Sequence, residues 1–282
     1  MKMKIAETLI VLILIILPFL VGLPISKYSP YIEGNNFQTY VFICTAFSIA
    51  LVAAVVFVFK YFFQPFESIR VGGALLFLLF CPIVGIFALA AAPDLSLKML
   101  EHPEREHIRY SFLFVAALLF GGFIFMLWRS KTFTISKLTK WIMFVVFIFA
   151  FAEFIWEFTH HYLYPEALKE WISQGKNFEE FGKYYDNFNV IIMGVLGRYF
   201  QFISVIWLSV YLYKLQRIRI WSPILSIGLS TLGIISATVI LITNMNLPKG
   251  FEILFLFFIP GIPFILLYLL GVALLTKSKK ST

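Results

Sequence analysis

The sequence contains little charge and very little cysteine. Only 13% of its 282 residues are Asp, Glu, Lys or Arg, whereas 61% are hydrophobic and the mean hydropathy is +0.90. A water-soluble domain needs a charged surface, so this composition excludes one. The two cysteines, Cys44 and Cys81, both lie inside apolar runs. We expect them to be free and buried, and their number excludes a disulfide framework and a cysteine-based zinc site.

Motifs that mark several enzyme classes are also missing. The chain has no Gly-x-Ser-x-Gly turn, no Walker lysine and no paired Asp-rich motif for prenyl or phosphate transfer. The chain has 23 basic and 15 acidic residues. The positions of the basic residues indicate the orientation of a membrane protein, as described below, rather than a surface that binds nucleic acid. We therefore expect no cofactor and no nucleic-acid partner.

Long apolar runs dominate the sequence. Runs of about 20 apolar residues can each cross a bilayer as a helix. Eight such helices are predicted, at about 6–24, 38–61, 71–92, 109–129, 139–161, 188–213, 221–244 and 252–276. The fold class is therefore all-α: a polytopic helical membrane protein with eight transmembrane helices.

The basic residues predict the orientation of these helices. The terminal tips and the loops after helices two, four and six together hold fourteen basic residues and two acidic ones. The opposite loops hold eight basic and eleven acidic residues. Because cytoplasmic loops are enriched in Lys and Arg, both termini should be cytoplasmic.

The order of long and short loops repeats once along the chain. This repeat suggests two tandem four-helix units, residues 1–132 and 133–282, in the same orientation. The spans of the first unit carry no ionisable residue near their middle, whereas those of the second carry Glu153, Glu157 and Arg198. We therefore place the functional site in the second unit. The sequence leaves a homodimer open.

Two carboxylates lie within the fifth predicted helix. Glu153 and Glu157 are four residues apart, so they share one helical face. Ionisable groups in a membrane span are costly and usually face a cavity or a partner. Arg198 lies at a similar depth on the next, antiparallel helix, which predicts a Glu153–Arg198 ion pair. This pair would leave Glu157 unpaired and able to exchange a proton, as a catalytic residue if the protein is an enzyme. The alternative is that the pair only neutralises two buried charges and fixes helix packing.

Two histidines follow at the end of the same helix. His160 and His161 lie three and four residues after Glu157, a spacing that a divalent metal could use. No second cluster supplies further ligands at a matching depth, so we predict no metal site and place these histidines at the membrane interface. The loop 162–187 that follows should start a short interfacial helix at Pro165, or alternatively form a lid over a pocket.

A proline pair interrupts the last predicted helix. Pro260-Gly261-x-Pro263 should break or kink it and leave carbonyl groups that line a cavity.

Segments from residue 139 to 276 resemble, in their order, the four-helix EXPERA family, which includes emopamil-binding protein (a sterol isomerase), the sigma-2 receptor and the transmembrane-6 superfamily. The matching segments are Trp156-Glu157, Leu163-Tyr164-Pro165, Asp186-Asn187-Phe188, Trp221-Ser222-Pro223, the helix bearing Ser226, Ser230 and Thr231, and Ile262-Pro263-Phe264-Ile265-Leu266-Leu267. The eight-helix count resembles the transmembrane-6 proteins, which have two such units in tandem.

The resemblance implies a pocket between helices that binds a sterol or another apolar, amine-like ligand. By this resemblance, Glu157 corresponds to the acid on the first helix of the family. The second family acid is missing, since the stretch from Met193 to Arg198 has no carboxylate. A sterol isomerase reaction needs proton transfer, and it needs negative charge to stabilise a carbocation. The positive charge of Arg198 would destabilise that carbocation.

We therefore expect a membrane protein that binds a lipid or sterol-like small molecule near Glu157. The two alternatives are an isomerase-like enzyme with Glu157 as proton donor and a proton-coupled small-solute transporter. The predicted ligand-binding residues are Glu153, Glu157, Arg198, Gln201, His160, Trp156, Asn187 and Pro263.

Overall fold

The computed structural model describes residues 96–129, 136–258 and 261–275 continuously, together with residues 5, 8, 9, 11–16, 39, 42, 46, 50 and 53. The described residues form helices and turns, and no strand occurs among them. This confirms the all-α class. The predicted helices at 6–24, 38–61 and 71–92 lie wholly or largely outside the described residues, so the number of eight spans stays a prediction.

Eight α-helices follow a short 3-10 helix at Leu97–Glu101. They are α1 (Glu104–Arg129), α2 (Lys137–Tyr162), α3 (Tyr164–Ser173), α4 (Phe178–Tyr185), α5 (Phe188–Lys214), α6 (Trp221–Thr243), α7 (Leu254–Phe258) and α8 (Gly261–Leu275). The bounds of α2, α5 and α6 agree with the predicted helices. The helix α1 corresponds to the predicted helix 109–129 but begins at Glu104. The helix α4 lies where the sequence predicted a loop.

Four of these segments are long and apolar enough to cross a membrane. They are Glu104–Met126, Lys137–Ser173, Phe188–Lys214 and Trp221–Thr243, and a shorter apolar helix covers Ile262–Leu274. The protein is therefore embedded in a membrane. The helix α2 shows the side that faces lipid, since the exposed apolar residues Leu138, Trp141, Ile142 and Val145 follow one helical stripe.

The centre of the bundle is α8. Every side chain from 263 to 274 is buried, and α8 packs against both α5 and α6. Phe264 stacks on Phe154 of α2, with ring centroids 4.4 Å apart, and Phe120 of α1 meets Phe154 edge-on at 5.9 Å. A helix that is apolar on all sides and buried on all sides is the core of the packing. The bundle thus forms around α8, with α1, α2, α5 and α6 packed about it.

Local sequence explains where the helices near the site begin and end. Asn177 and Asn187 accept hydrogen bonds from the backbone N–H groups of Glu179 and Asn189, and so cap α4 and α5. Pro165 lies in the first turn of α3, as predicted, and Gly175 follows α3 with φ of +72°. The loop between α2 and α5 is therefore an ordered pair of short helices.

The α8 core also contacts the described part of the amino-terminal region. The Tyr268 hydroxyl donates a 2.7 Å hydrogen bond to the carbonyl of Leu14, and both residues are buried. Tyr268→Phe removes this bond and should lower the free energy of unfolding by about 1 kcal/mol. Denaturant unfolding in detergent measures the change, with Tyr213→Phe on the exposed side of α5 as control. Equal stability of Tyr268→Phe and wild type would contradict the assigned contact.

Candidate functional site

A buried polar cluster joins α2 and α5 in the apolar bundle. Glu153 and Glu157 come from α2, and Arg198 and Gln201 come from α5. Each of these residues is 2–6% exposed. The i, i+4 spacing on α2 and the i, i+3 spacing on α5 direct all four side chains to the helix–helix contact. These four residues, with the carbonyl of Phe258, are called the acid–arginine cluster below.

All three nitrogens of the Arg198 guanidinium have protein acceptors. Its Nη1 donates to Gln201 Oε1 at 2.8 Å and lies 3.3 Å from both carboxylate oxygens of Glu153. Its Nη2 donates to Glu157 Oε1 at 2.6 Å, and its Nε donates to the carbonyl of Phe258. Gln201 Nε2 in turn donates to Glu153 Oε2. The guanidinium is thus fixed in one orientation by acceptors from three helices.

The predicted Glu153–Arg198 ion pair is confirmed, but the prediction that Glu157 stays unpaired is wrong. Arg198 binds both carboxylates at once, because a guanidinium presents separate donors on its two terminal nitrogens. One arginine can therefore bridge two acids that lie one helical turn apart. In the sequence the arginine appears as a single charge, which predicts a single partner.

Close contact between α2 and α5 depends on Gly197. A Cβ atom at this position would overlap the side chain of Glu153. Gly194, one turn earlier on α5, meets the ring of Phe258. Small residues that let helices approach closely are typical of membrane helix interfaces. Gly197 thus makes room for the Glu153 carboxylate beside Arg198.

One carboxylate oxygen of the cluster accepts no hydrogen bond from the described residues. Glu157 Oε2 is buried and has no hydrogen-bond partner among the described residues. His161 is a second ionisable neighbour of Glu157: its Nε2 lies 4.0 Å from Glu157 Oε1, and its side chain is 33% exposed. The His161 ring stacks on Tyr110 of α1, with centroids 4.8 Å apart. Glu157 therefore lies between the buried arginine and a histidine that reaches the surface.

The charges of the cluster do not cancel. Two carboxylates and one guanidinium sum to one negative charge if both acids are ionised. No second Lys or Arg of the described residues forms an ion pair with either carboxylate. A net charge in a low-dielectric interior is costly. A proton on one carboxylate, or a hydrogen-bond donor or cation next to Glu157 Oε2, would stabilise the cluster.

The other predicted ligand-binding residues lie outside this cluster. Trp156 stacks on His160, with ring centroids 5.3 Å apart and planes 9° apart. His160 Nε2 is 2.8 Å from Asp186 Oδ1, and Asn187 caps α5. Pro263 is buried in the first turn of α8. The predicted break at Pro260 lies outside the described residues, and Phe258, which comes just before it, supplies its carbonyl to the cluster.

His160 and Asn187 instead line a surface groove at the end of the bundle where α3 and α4 lie. The groove has a volume of about 430 Å³. The helices α3 and α4, which form within loop 162–187, build walls of this groove, and the lid suggested as an alternative for this loop stays a prediction. Among the described residues, no group of three His, Cys, Asp or Glu side chains is placed to hold a metal ion.

Three contributors to these sites were not predicted. They are the carbonyl of Phe258, the contact between Asp186 and His160, and the space that Gly197 leaves beside Glu153. Each depends on how the helices pack. The Gly194-x-x-Gly197 spacing signals close packing, but it does not say which side chain fills the space. The chain matches no protein-family model, no curated protein and no solved structure.

Proposed function

We propose that this membrane protein binds a lipid or sterol-like molecule within the bundle, with the polar end of the ligand at Glu157. The observation that supports this proposal is the buried Oε2 atom of Glu157, which has no partner among the described residues. An unsatisfied acceptor at this depth costs free energy comparable to a lost hydrogen bond, and a ligand donor would recover it.

The charges of the cluster favour a hydroxyl or amine rather than an anionic group on the ligand. Every nitrogen of Arg198 already donates to a protein acceptor, so an anion would have to displace one of them. The cluster is also net negative with both acids ionised. A hydroxyl would donate to Glu157 Oε2, and an amine would in addition balance the charge. Apolar spans on each side suit the rest of a lipid or sterol skeleton.

The resemblance of residues 139–276 to the EXPERA family agrees with this proposal. That resemblance implies a ligand pocket with two acids, the first at Glu157. We propose that Glu153 takes the place of the second acid, from the same helix. Its carboxylate lies beside Glu157 on α2, and both contact Arg198.

We keep the topology with both termini cytoplasmic as part of the proposal, since it rests on the distribution of Lys and Arg. In this orientation α3, α4 and their groove lie on the opposite side of the membrane.

The second candidate function is proton transfer by Glu157, either in an isomerase-like reaction or in proton-coupled transport. The observation that favours it is the position of His161, 4.0 Å from Glu157 and partly exposed, which offers a route for a proton between the cluster and water. A catalytic role requires that Glu157→Gln binds ligand and fails in turnover. Equal loss of binding and turnover would leave only the binding role.

The test is extraction and mass spectrometry of lipids that co-purify with the protein in mild detergent. Wild type should retain a defined hydroxyl- or amine-bearing lipid, and Glu157→Gln should lose most of it, since the amide replaces an acceptor with a donor at the recognition atom. Glu179→Gln, at an exposed acid of α4, is the matched control and should behave as wild type. Equal retention by Glu157→Gln and wild type, or no retained lipid in either, would overturn the proposal.

A further inference from the structure

The groove at the α3–α4 end has lining residues from four helices and the turns between them. Its volume of about 430 Å³ falls in the range of small-molecule sites. Most of its lining residues fall into two chemical sets, called the aromatic side and the polar side below. The aromatic residues are Trp171, Phe181, Tyr184 and Tyr185, and the polar residues are His160, Glu170, Gln174, Lys176 and Asn187.

The four aromatic residues pack against one another. Trp171 and Tyr184 are 4.6 Å apart between centroids, and the Tyr185 ring is stacked on by the buried Phe181 at 5.2 Å and by His160 at 4.4 Å. The Tyr185 hydroxyl donates to the carbonyl of His160 at 2.7 Å, and burial raises the pKa of Tyr185 to about 12. This phenol therefore stays protonated and holds its ring in place at physiological pH. Tyr184 is 62% exposed, so its ring is open to a ligand.

The polar side carries both signs of charge. Lys176 Nζ lies 4.3 Å from the centroid of the Trp171 ring, so an anion bound to Lys176 would sit next to the aromatic side. The Glu170 carboxylate is exposed and accepts a hydrogen bond from Gln174 at its Oε1. A ligand with a phosphate next to a cation would match this pair of charges, with the cation over the exposed Tyr184 ring.

We propose that this groove binds the headgroup of a zwitterionic phospholipid that bears a quaternary ammonium. Lys176 pairs with the phosphate, while the exposed ring of Tyr184, with the Glu170 carboxylate, receives the trimethylammonium group. Aromatic faces recognise quaternary ammonium through cation–π attraction, and the methyl groups suit an apolar wall.

The position of the groove relative to the membrane supports a lipid as the occupant. The candidate span Lys137–Ser173 runs directly into the groove, whose wall includes Ala167 and Trp171 from its last turns. Tyrosine and tryptophan are enriched at this depth, where phospholipid headgroups lie. The acyl chains of a bound lipid would then extend along the apolar faces of the bundle. This site is separate from Glu157, so the proposal does not rest on the proposed function.

The experiment measures lipid binding to purified protein by native mass spectrometry with added phosphatidylcholine, phosphatidylethanolamine or phosphatidylglycerol. Wild type should bind phosphatidylcholine most tightly. Lys176→Gln should weaken that binding about ten-fold through the lost phosphate contact. Tyr184→Ala should weaken it by roughly three- to five-fold, and its exposed position makes misfolding a minor concern. The matched control is Lys169→Gln, an exposed lysine of α3 that does not line the groove.

Lys176→Gln and Tyr184→Ala separate this proposal from the proposed function, because they should leave the lipid that co-purifies through Glu157 unchanged. Three results would overturn the proposal: equal binding of phosphatidylglycerol or phosphatidylethanolamine, wild-type binding by Lys176→Gln and Tyr184→Ala, or an equal loss in Lys169→Gln.

Discussion

Replacing Arg198 with methionine is expected to lower the free energy of unfolding by about 3–5 kcal/mol, the largest effect of any single substitution in the cluster. The loss arises because Arg198 neutralises two buried carboxylates and donates to Gln201 and to the Phe258 carbonyl. Methionine fills a similar volume but removes the Arg198 donors from these acceptors, and among the described residues only Glu153 keeps a donor, from Gln201. Denaturant unfolding in detergent micelles, followed by circular dichroism, measures the loss.

Two further variants show whether the loss comes from the charges. Arg198→Lys keeps the charge but lacks the forked donors of the guanidinium. Its free energy of unfolding should therefore lie between those of Arg198→Met and wild type. The triple variant Arg198→Met, Glu153→Gln, Glu157→Gln removes all three charges and should recover much of the lost stability. Arg129→Met, at the exposed end of α1, is the control for loss of an arginine. If the triple variant is as unstable as Arg198→Met, uncompensated charge is not the cause.

Gly197→Ala should be more harmful than substitution of Gly194, the other glycine of α5, with a loss of about 1–3 kcal/mol from overpacking. The added Cβ would overlap the Glu153 side chain, which is itself held by Arg198 and Gln201. The carboxylate must therefore move, α5 must shift away from α2, or both. Thermal and denaturant unfolding both report the change.

The matched control is Gly228→Ala on α6. A Cβ at Gly228 meets nothing within 4 Å, and the residue is exposed. Alanine there should leave stability unchanged or raise it by up to about 1 kcal/mol, because alanine restricts the backbone more than glycine does. A Gly197→Ala protein as stable as Gly228→Ala would show that the close approach of α2 and α5 is not needed.

Much of the cluster could be predicted from the sequence because helical geometry is regular. The four-residue spacing of Glu153 and Glu157 fixes them on one face, and antiparallel neighbours bring Arg198 to the same depth. The same regularity gave the bounds of α5 and α6 to within one residue.

The remaining features depend on side-chain geometry and long-range packing. The double pairing of Arg198 follows from the fork of its guanidinium and from the contact distance set by Gly197. The bond between His160 and Asp186 joins residues that are 26 positions apart, with two short helices in between. The sequence around 178–185 is rich in polar and aromatic residues, and its helix α4 is stabilised by the Asn177 cap and by Phe181 packing on Tyr164. No simple periodicity signals such contacts.

The most direct test of the proposed ligand site is a structure of the protein purified in native lipid, examined around Glu157. We predict non-protein density with an elongated apolar body and a polar end within hydrogen-bond distance of Glu157 Oε2. A Glu157 Oε2 atom that bonds to a protein donor, with no ligand density beside it, would contradict the ligand site and leave the acid–arginine cluster as a structural element of the bundle.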